Sequence, residues 1–66
     1  MSIVKVIEVI SEGKSIDDAM QAGVTEASKT IEGIRQINVE HIEGQVEGNK
    51  ITKFRVNSKI SFVVKN

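Results

Sequence analysis

The sequence predicts an α+β domain, a β-α-β-β chain whose three strands make one antiparallel sheet in the order 2-3-1 with one helix wrapped against it. Three patterns carry that reading. Phe54, Val56, Ser58, Ile60, Phe62 and Val64 alternate with Lys53, Arg55, Asn57, Lys59 and Ser61, the period of a strand with one buried face. Ile3 to Ile10 is a nearly continuous β-branched run broken only by Lys5 and Glu8, as in a strand covered on both sides. Between them, Ile16, Met20, Gly23, Val24, Ala27 and Ile31 recur at intervals of three and four, a helical stripe.

Taken in order, the first strand ends in a turn at Ser11-Glu12-Gly13-Lys14. Ser15 followed by Asp18 resembles a capping box, and Asp17 and Asp18 suit the positive end of a helix dipole. The helix is expected to run to about Glu32, with Asp17, Gln21, Thr25, Ser28, Lys29 and Glu32 on its wet side and Gly33 as its stop. Gly23 within the apolar stripe is expected to let helix and sheet approach closely.

The rest is one long hairpin, Ile34 to Val64, turning at Gly48-Asn49, where glycine tolerates positive φ. That loop sets the register. Val46 should face Ile51, His41 Val56, Val39 Ser58 and Ile37 Ile60, which collects the apolar side chains on one side. The other side should carry Gln36, Asn38, Glu40 and Ile42 across from Ser61, Lys59, Asn57 and Arg55.

Composition narrows the function. The 66 residues suffice for one small domain, 1–66, and nine basic and nine acidic side chains cancel, so nothing attracts nucleic acid or an anionic membrane. Without cysteine there is neither a disulfide framework nor thiolate chemistry. No apolar run is long enough for a signal peptide or a membrane span, so a soluble cytoplasmic protein is expected. An isolated domain of this size has little surplus stability, and the first strand with Phe62-Val63-Val64 offers apolar groups on the face the helix leaves bare. Self-association is therefore expected.

Several segments together resemble one family. Lys5-Val6-Ile7-Glu8-Val9, Ser15-Ile16-Asp17-Asp18-Ala19, Ala27-Ser28-Lys29-Thr30-Ile31, Lys50-Ile51-Thr52-Lys53-Phe54-Arg55-Val56 and Ile60-Ser61-Phe62 follow one another as in a dodecin. The resemblance implies twelve subunits closing into a hollow homo-dodecameric shell that binds flavins, riboflavin or FMN, and stores them without catalysis. Flavin-binding dodecins stack the flavin ring on a tryptophan four residues before the position of Glu40, where this chain has Gln36. They hydrogen-bond the ring edge with a glutamine after the aromatic residue of the last strand, where this chain has Arg55 after Phe54. A calcium-binding role is attached to a member lacking the tryptophan, so the alternative is a cation-binding or purely structural shell.

The candidate ligand-binding set is Gln36, Asn38, Arg55 and Asn57, all on the outer polar side of the expected hairpin. Arg55 is suited to a carboxylate, a phosphate or a ring carbonyl, because its planar fork donates in pairs. His41 and Glu43 look like two metal ligands but are expected on the helix side, where Glu43 would answer the helix dipole, so no metal site is assigned. Ser11, Ser15 and Ser58 have no His or Asp in a context that would activate them, and no catalytic residue is expected.

Overall fold

The computed structural model describes residues 2–64; Met1, Lys65 and Asn66, the ends of the expected domain, lie outside the described residues. Its elements are β1 (Ile3–Gly13), α1 (Ile16–Ser28), β2 (Ile34–Glu47) and β3 (Lys50–Val64). The sheet is antiparallel in the order β1-β3-β2, as the sequence predicts, with the longest strand in the middle.

Helix α1 starts where its chemistry says it should. Ser15 is extended (φ −140°, ψ 168°) and its hydroxyl accepts from the Asp18 backbone N–H. The end differs from the expectation. The helix closes at Ser28, not Glu32, and its last turn tightens through Lys29 N–H to Glu26 O and Thr30 N–H to Ala27 O. The Ser28 hydroxyl donates back to the Thr25 carbonyl at 2.7 Å, competing with helix continuation. Gly33 (φ +79°) is instead the corner into β2, where its carbonyl accepts from Val63 N–H at 3.0 Å. A side chain there would meet the Val63 carbonyl at 2.8 Å.

The helix docks through its small residues. Ala19, Gly23 and Ala27 are its buried positions, and a Cβ on Gly23 would sit 3.0 Å from Ser11 Oγ and 3.4 Å from Val9. The Ser11 hydroxyl donates to Ala19 O at 2.6 Å, fixing the helix along β1. This contact requires Ser11 to lie in the strand. The turn expected at 11–14 is shorter, because Ser11, Glu12 and Gly13 pair with Val56, Arg55 and Phe54. Against that layer β3 presents Val56, Ser58 and Ile60, each fully buried.

The hairpin turns at Gly48 (φ 57°) and Asn49 (φ 65°), both left-handed, which matches the twist of the strands it joins. Ile37 faces Ile60, Val39 faces Ser58 and Val46 faces Ile51, as expected. Between these points the register departs. Arg35 and Glu40 are extra residues in β2 and Thr52 is one in β3, so the pairing shifts at three places. His41 therefore pairs with Asn57, not Val56, and Glu43 pairs with Arg55. Ile42, expected outside against Arg55, lies opposite buried Val56. The shift at Thr52 is stabilised locally, its hydroxyl donating to Gln45 O at 3.2 Å.

Candidate functional site

The sheet face away from the helix is organised by β3. Arg55, Asn57, Lys59 and Ser61 point outward, and β1 brings Glu12, Ile10, Glu8 and Val6 beside them in that order. From the other side β2 brings Glu43, His41, Asn38 and Gln36. The bulge at Glu40 places His41 and Glu43 here. Both were expected on the helix side, and Glu43 answers Arg55 rather than the helix dipole.

The four candidate residues fall into two neighbouring pairs. Gln36 and Asn38 are joined by a hydrogen bond from Gln36 Nε2 to Asn38 Oδ1 at 3.0 Å. Arg55 and Asn57 line a shallow hollow of about 210 Å³ together with Ile10, His41 and Glu43. Asn57 Oδ1 is itself buried and has no hydrogen-bond partner among the described residues. Such an orphaned buried acceptor is unfavourable.

Arg55 is not free. Its Nε and Nη2 donate to Glu12 Oε2 at 2.9 and 2.7 Å. Lys53 Nζ donates to the other oxygen of Glu12 at 3.1 Å, and Gln45 Nε2 to Oε2 at 3.3 Å. Hydrogen bonds from Arg55 and Lys53 hold the Glu12 carboxyl below the usual carboxylate range, and the carboxylate in turn raises the Arg55 guanidinium, with a smaller contribution from Glu43. Lys59 Nζ reaches Glu40 at 3.5 Å. Glu12 was invisible as a site residue in the sequence, where it read as part of a turn; its place opposite Arg55 depends on how far β1 extends.

A second hollow, of about 400 Å³, opens where the helix end meets β2 and β3, between Ile31, Glu32, Gly33, Arg35, Phe62 and Val63. It lies apart from the four candidate residues. Among the described residues no three His, Asp or Glu side chains gather in a way that would hold a metal ion, and no helix is long and apolar enough to cross a membrane.

Comparison with known proteins agrees with this architecture. The structure superposes on a Thermus thermophilus protein with a TM-score of 0.92 at 19% identity, covering 100% of this chain and 98% of that one. The dodecin of Streptomyces coelicolor matches with a TM-score of 0.88 at 26% identity, over 98% of this chain and 94% of its own. That of Streptomyces davaonensis matches with the same TM-score at 21% identity, over 98% and 97%. A search of curated protein sequences returns no match. The sequence profile of the dodecins matches residues 3–65, nearly the full length, and on that ground the chain belongs to the dodecin family.

Proposed function

We propose that this chain is the subunit of a homo-dodecameric shell that binds a flat heterocycle, a flavin (riboflavin or FMN) first among the candidates, on the outer face of its sheet and stores it unchanged. The observation that carries this reading is the composition of that face. Val6 and Ile10 of β1 stand 54% and 64% exposed beside Ser61 and Asn57 of β3, with Glu8 between them and Val4, 59% exposed, opposite Val63. An apolar strip rimmed by hydrogen-bonding groups favours association and the burial of a partly apolar ligand. Gln36 and Asn38, both exposed, supply donors and acceptors of the kind a flavin ring edge pairs with.

The stacking surface is what this chain lacks. Ring stacking on an aromatic side chain contributes about 1–3 kcal/mol, by analogy with base stacking. The native protein should accordingly bind flavin about ten- to a hundredfold more weakly than a variant carrying Gln36→Trp. Light scattering should report a mass near twelve times the 7.2 kDa of the chain. Titration with riboflavin should quench its fluorescence, more tightly in the Gln36→Trp variant. A stable monomer, or a dodecamer on which Gln36→Trp adds no affinity, sinks the reading; a colourless dodecamer purified with a bound cation would support an ion-holding shell in its place.

A further inference from the structure

The hollow at the end of α1 is walled by apolar side chains and carries one charge of each sign. Half-buried Ile31, Phe62, Val63 and Val64 make its wall, and exposed Glu32 and Arg35 flank it. Its volume of about 400 Å³ lies within the usual range of small-molecule sites, about 300–1,000 Å³. Neither Glu32 nor Arg35 makes an ion pair within 4.0 Å among the described residues, with each other or with a third group. The corner between them is held by Gly33 O, which accepts from Val63 N–H at 3.0 Å. Arg35 is the extra residue of a bulge, outside the pairs Ile34–Phe62 and Gln36–Ser61. The helix end sharpens the contrast between the two charges. Its last turn has no basic residue, and Lys29 just past it is taken by Glu26 at 3.2 Å, so the negative end of the dipole adds to Glu32.

We propose that this hollow binds a free amino acid with an apolar side chain, its ammonium at Glu32 and the helix end, its carboxylate on the Arg35 guanidinium, and its side chain against Ile31, Phe62 and Val63. An anion would be held by Arg35 but repelled by Glu32, and a cation would meet the reverse. An uncharged apolar molecule would answer neither charge. A zwitterion answers both. The two charges of an amino acid sit on one carbon and its neighbour, which suits two side chains three positions apart around a corner. The planar fork of arginine takes a carboxylate by two parallel hydrogen bonds, which fixes the orientation of the ligand. An acidic or basic amino acid would press a third charge against the apolar wall and is disfavoured. The site lies apart from the outer sheet face, and binding there does not depend on the flavin reading.

A ligand of so few atoms should bind in the millimolar range, which saturation-transfer NMR on the full chain in its native assembly detects. Leucine and phenylalanine should bind. N-acetylleucine, which lacks the ammonium, and leucine amide, which lacks the carboxylate, should each bind roughly tenfold more weakly, the worth of one charge-assisted contact in a half-exposed site. Aspartate should not bind. Two exposed substitutions that leave the circular dichroism spectrum unchanged then separate the contacts. Arg35→Gln should make leucine and leucine amide bind alike while N-acetylleucine stays the weaker ligand. Glu32→Gln should make leucine and N-acetylleucine bind alike while leucine amide stays the weaker. No saturation transfer to leucine or phenylalanine overturns the proposal, as do blocked analogues that bind as well as the free amino acid. Variants that leave both discriminations unmoved overturn it too. Leucine binding by a protein that takes no flavin upholds this site while the outer-face reading falls, and flavin binding without leucine does the reverse.

Discussion

Ser58 offers a sharp test of the core, because the structure predicts that removing its hydroxyl strengthens the protein. The residue is fully buried in the middle of β3, with Val9 of β1 on one side and Val39 of β2 on the other. Its Oγ has no hydrogen-bond partner. A hydroxyl buried without a partner costs about 1–3 kcal/mol by the measure of protein substitutions. Ser58→Ala removes that cost and leaves a void of one oxygen atom, whose penalty at about 24 cal/mol per Å³ is a few tenths of a kcal/mol. The expected net is a gain of about 1 kcal/mol. Ser58→Val should do worse than alanine, since two added methyl groups must fit between Val9 and Val39. The assay is urea unfolding followed by circular dichroism at one fixed protein concentration, because the proposed assembly would make apparent stability concentration-dependent. A higher midpoint with an unchanged slope is the expected result. A loss of about 1 kcal/mol or more on Ser58→Ala would refute the reasoning, showing that the hydroxyl bonds a backbone group or a buried water.

Other substitutions test neighbouring steps of the argument. Ile60→Asp puts an unpaired charge at a fully buried position and should abolish folding, whereas Lys59→Ala on the outer face should leave the secondary structure intact; the reverse order would place the faces of β3 wrongly. Gly13→Ala should destabilise by more than about 2 kcal/mol, because the new Cβ would fall 2.5 Å from Ala19 N and neither strand end nor helix start can retreat cheaply; unchanged thermal stability would contradict the docking geometry. Glu12 should shape the acid limb of the stability profile. Its folded pKa is depressed, so its contribution is present above the unfolded value of about 4.3 and is lost as pH falls through the lower folded value. In Glu12→Gln that part of the limb should flatten, with stability at neutral pH lower by the same modest amount and stability below the folded pKa unchanged; an unchanged limb would show the Arg55 and Lys53 contacts to be energetically idle.

Much of this fold can be read from the chain because its signals are local. The Gly48-Asn49 loop sets the pairing nearby, and the strict alternation of β3 sorts its two faces without help from the rest of the molecule. The helix cap at Ser15 is equally local. The departures have two sources. The position of Glu12 opposite Arg55 depends on the β1–β3 register, and no short turn joins those strands, so local sequence does not specify it. The helix end was overextended because Ile31 continues the spacing from Ala27 although the chain is already leaving the helix. The site residues missed on β2 did leave a trace. Its apolar positions Ile34, Ile37, Val39, Ile42 and Val46 are separated by three, two, three and four residues, and each odd interval contains the extra residue of a bulge, Arg35 or Glu40. Assuming a uniform period of two sent His41 and Glu43 to the wrong face.

Those bulges connect the fold to the proposed function. An unbroken β2 would put Ile42 beside Arg55 and bury His41 and Glu43 next to Val56, an expensive arrangement for two polar groups. The extra residue at Glu40 reverses this. It returns Ile42 to the side of Val56, brings Glu43 against Arg55, and leaves Glu40 itself to reach Lys59 at 3.5 Å. The shift at Thr52 then restores the pairing before the loop, so the hairpin can close with Val46 on Ile51. The distal half of the hairpin still extends past the helix, and Ile42, Val46 and Ile51 remain 53%, 61% and 60% exposed at that end. The core under the helix is small, centred on Ala19, Ala27, Val56 and Ile60, and cannot reach them. The physical case for assembly thus comes from both ends of the sheet: the hairpin tip on the inner face, and Val4, Val6 and Ile10 on the outer one. A contact that covered the outer strip would also close over the hollow beside Ile10, so in this reading the burial that stabilises the shell is the same burial that would exclude water from its ligand.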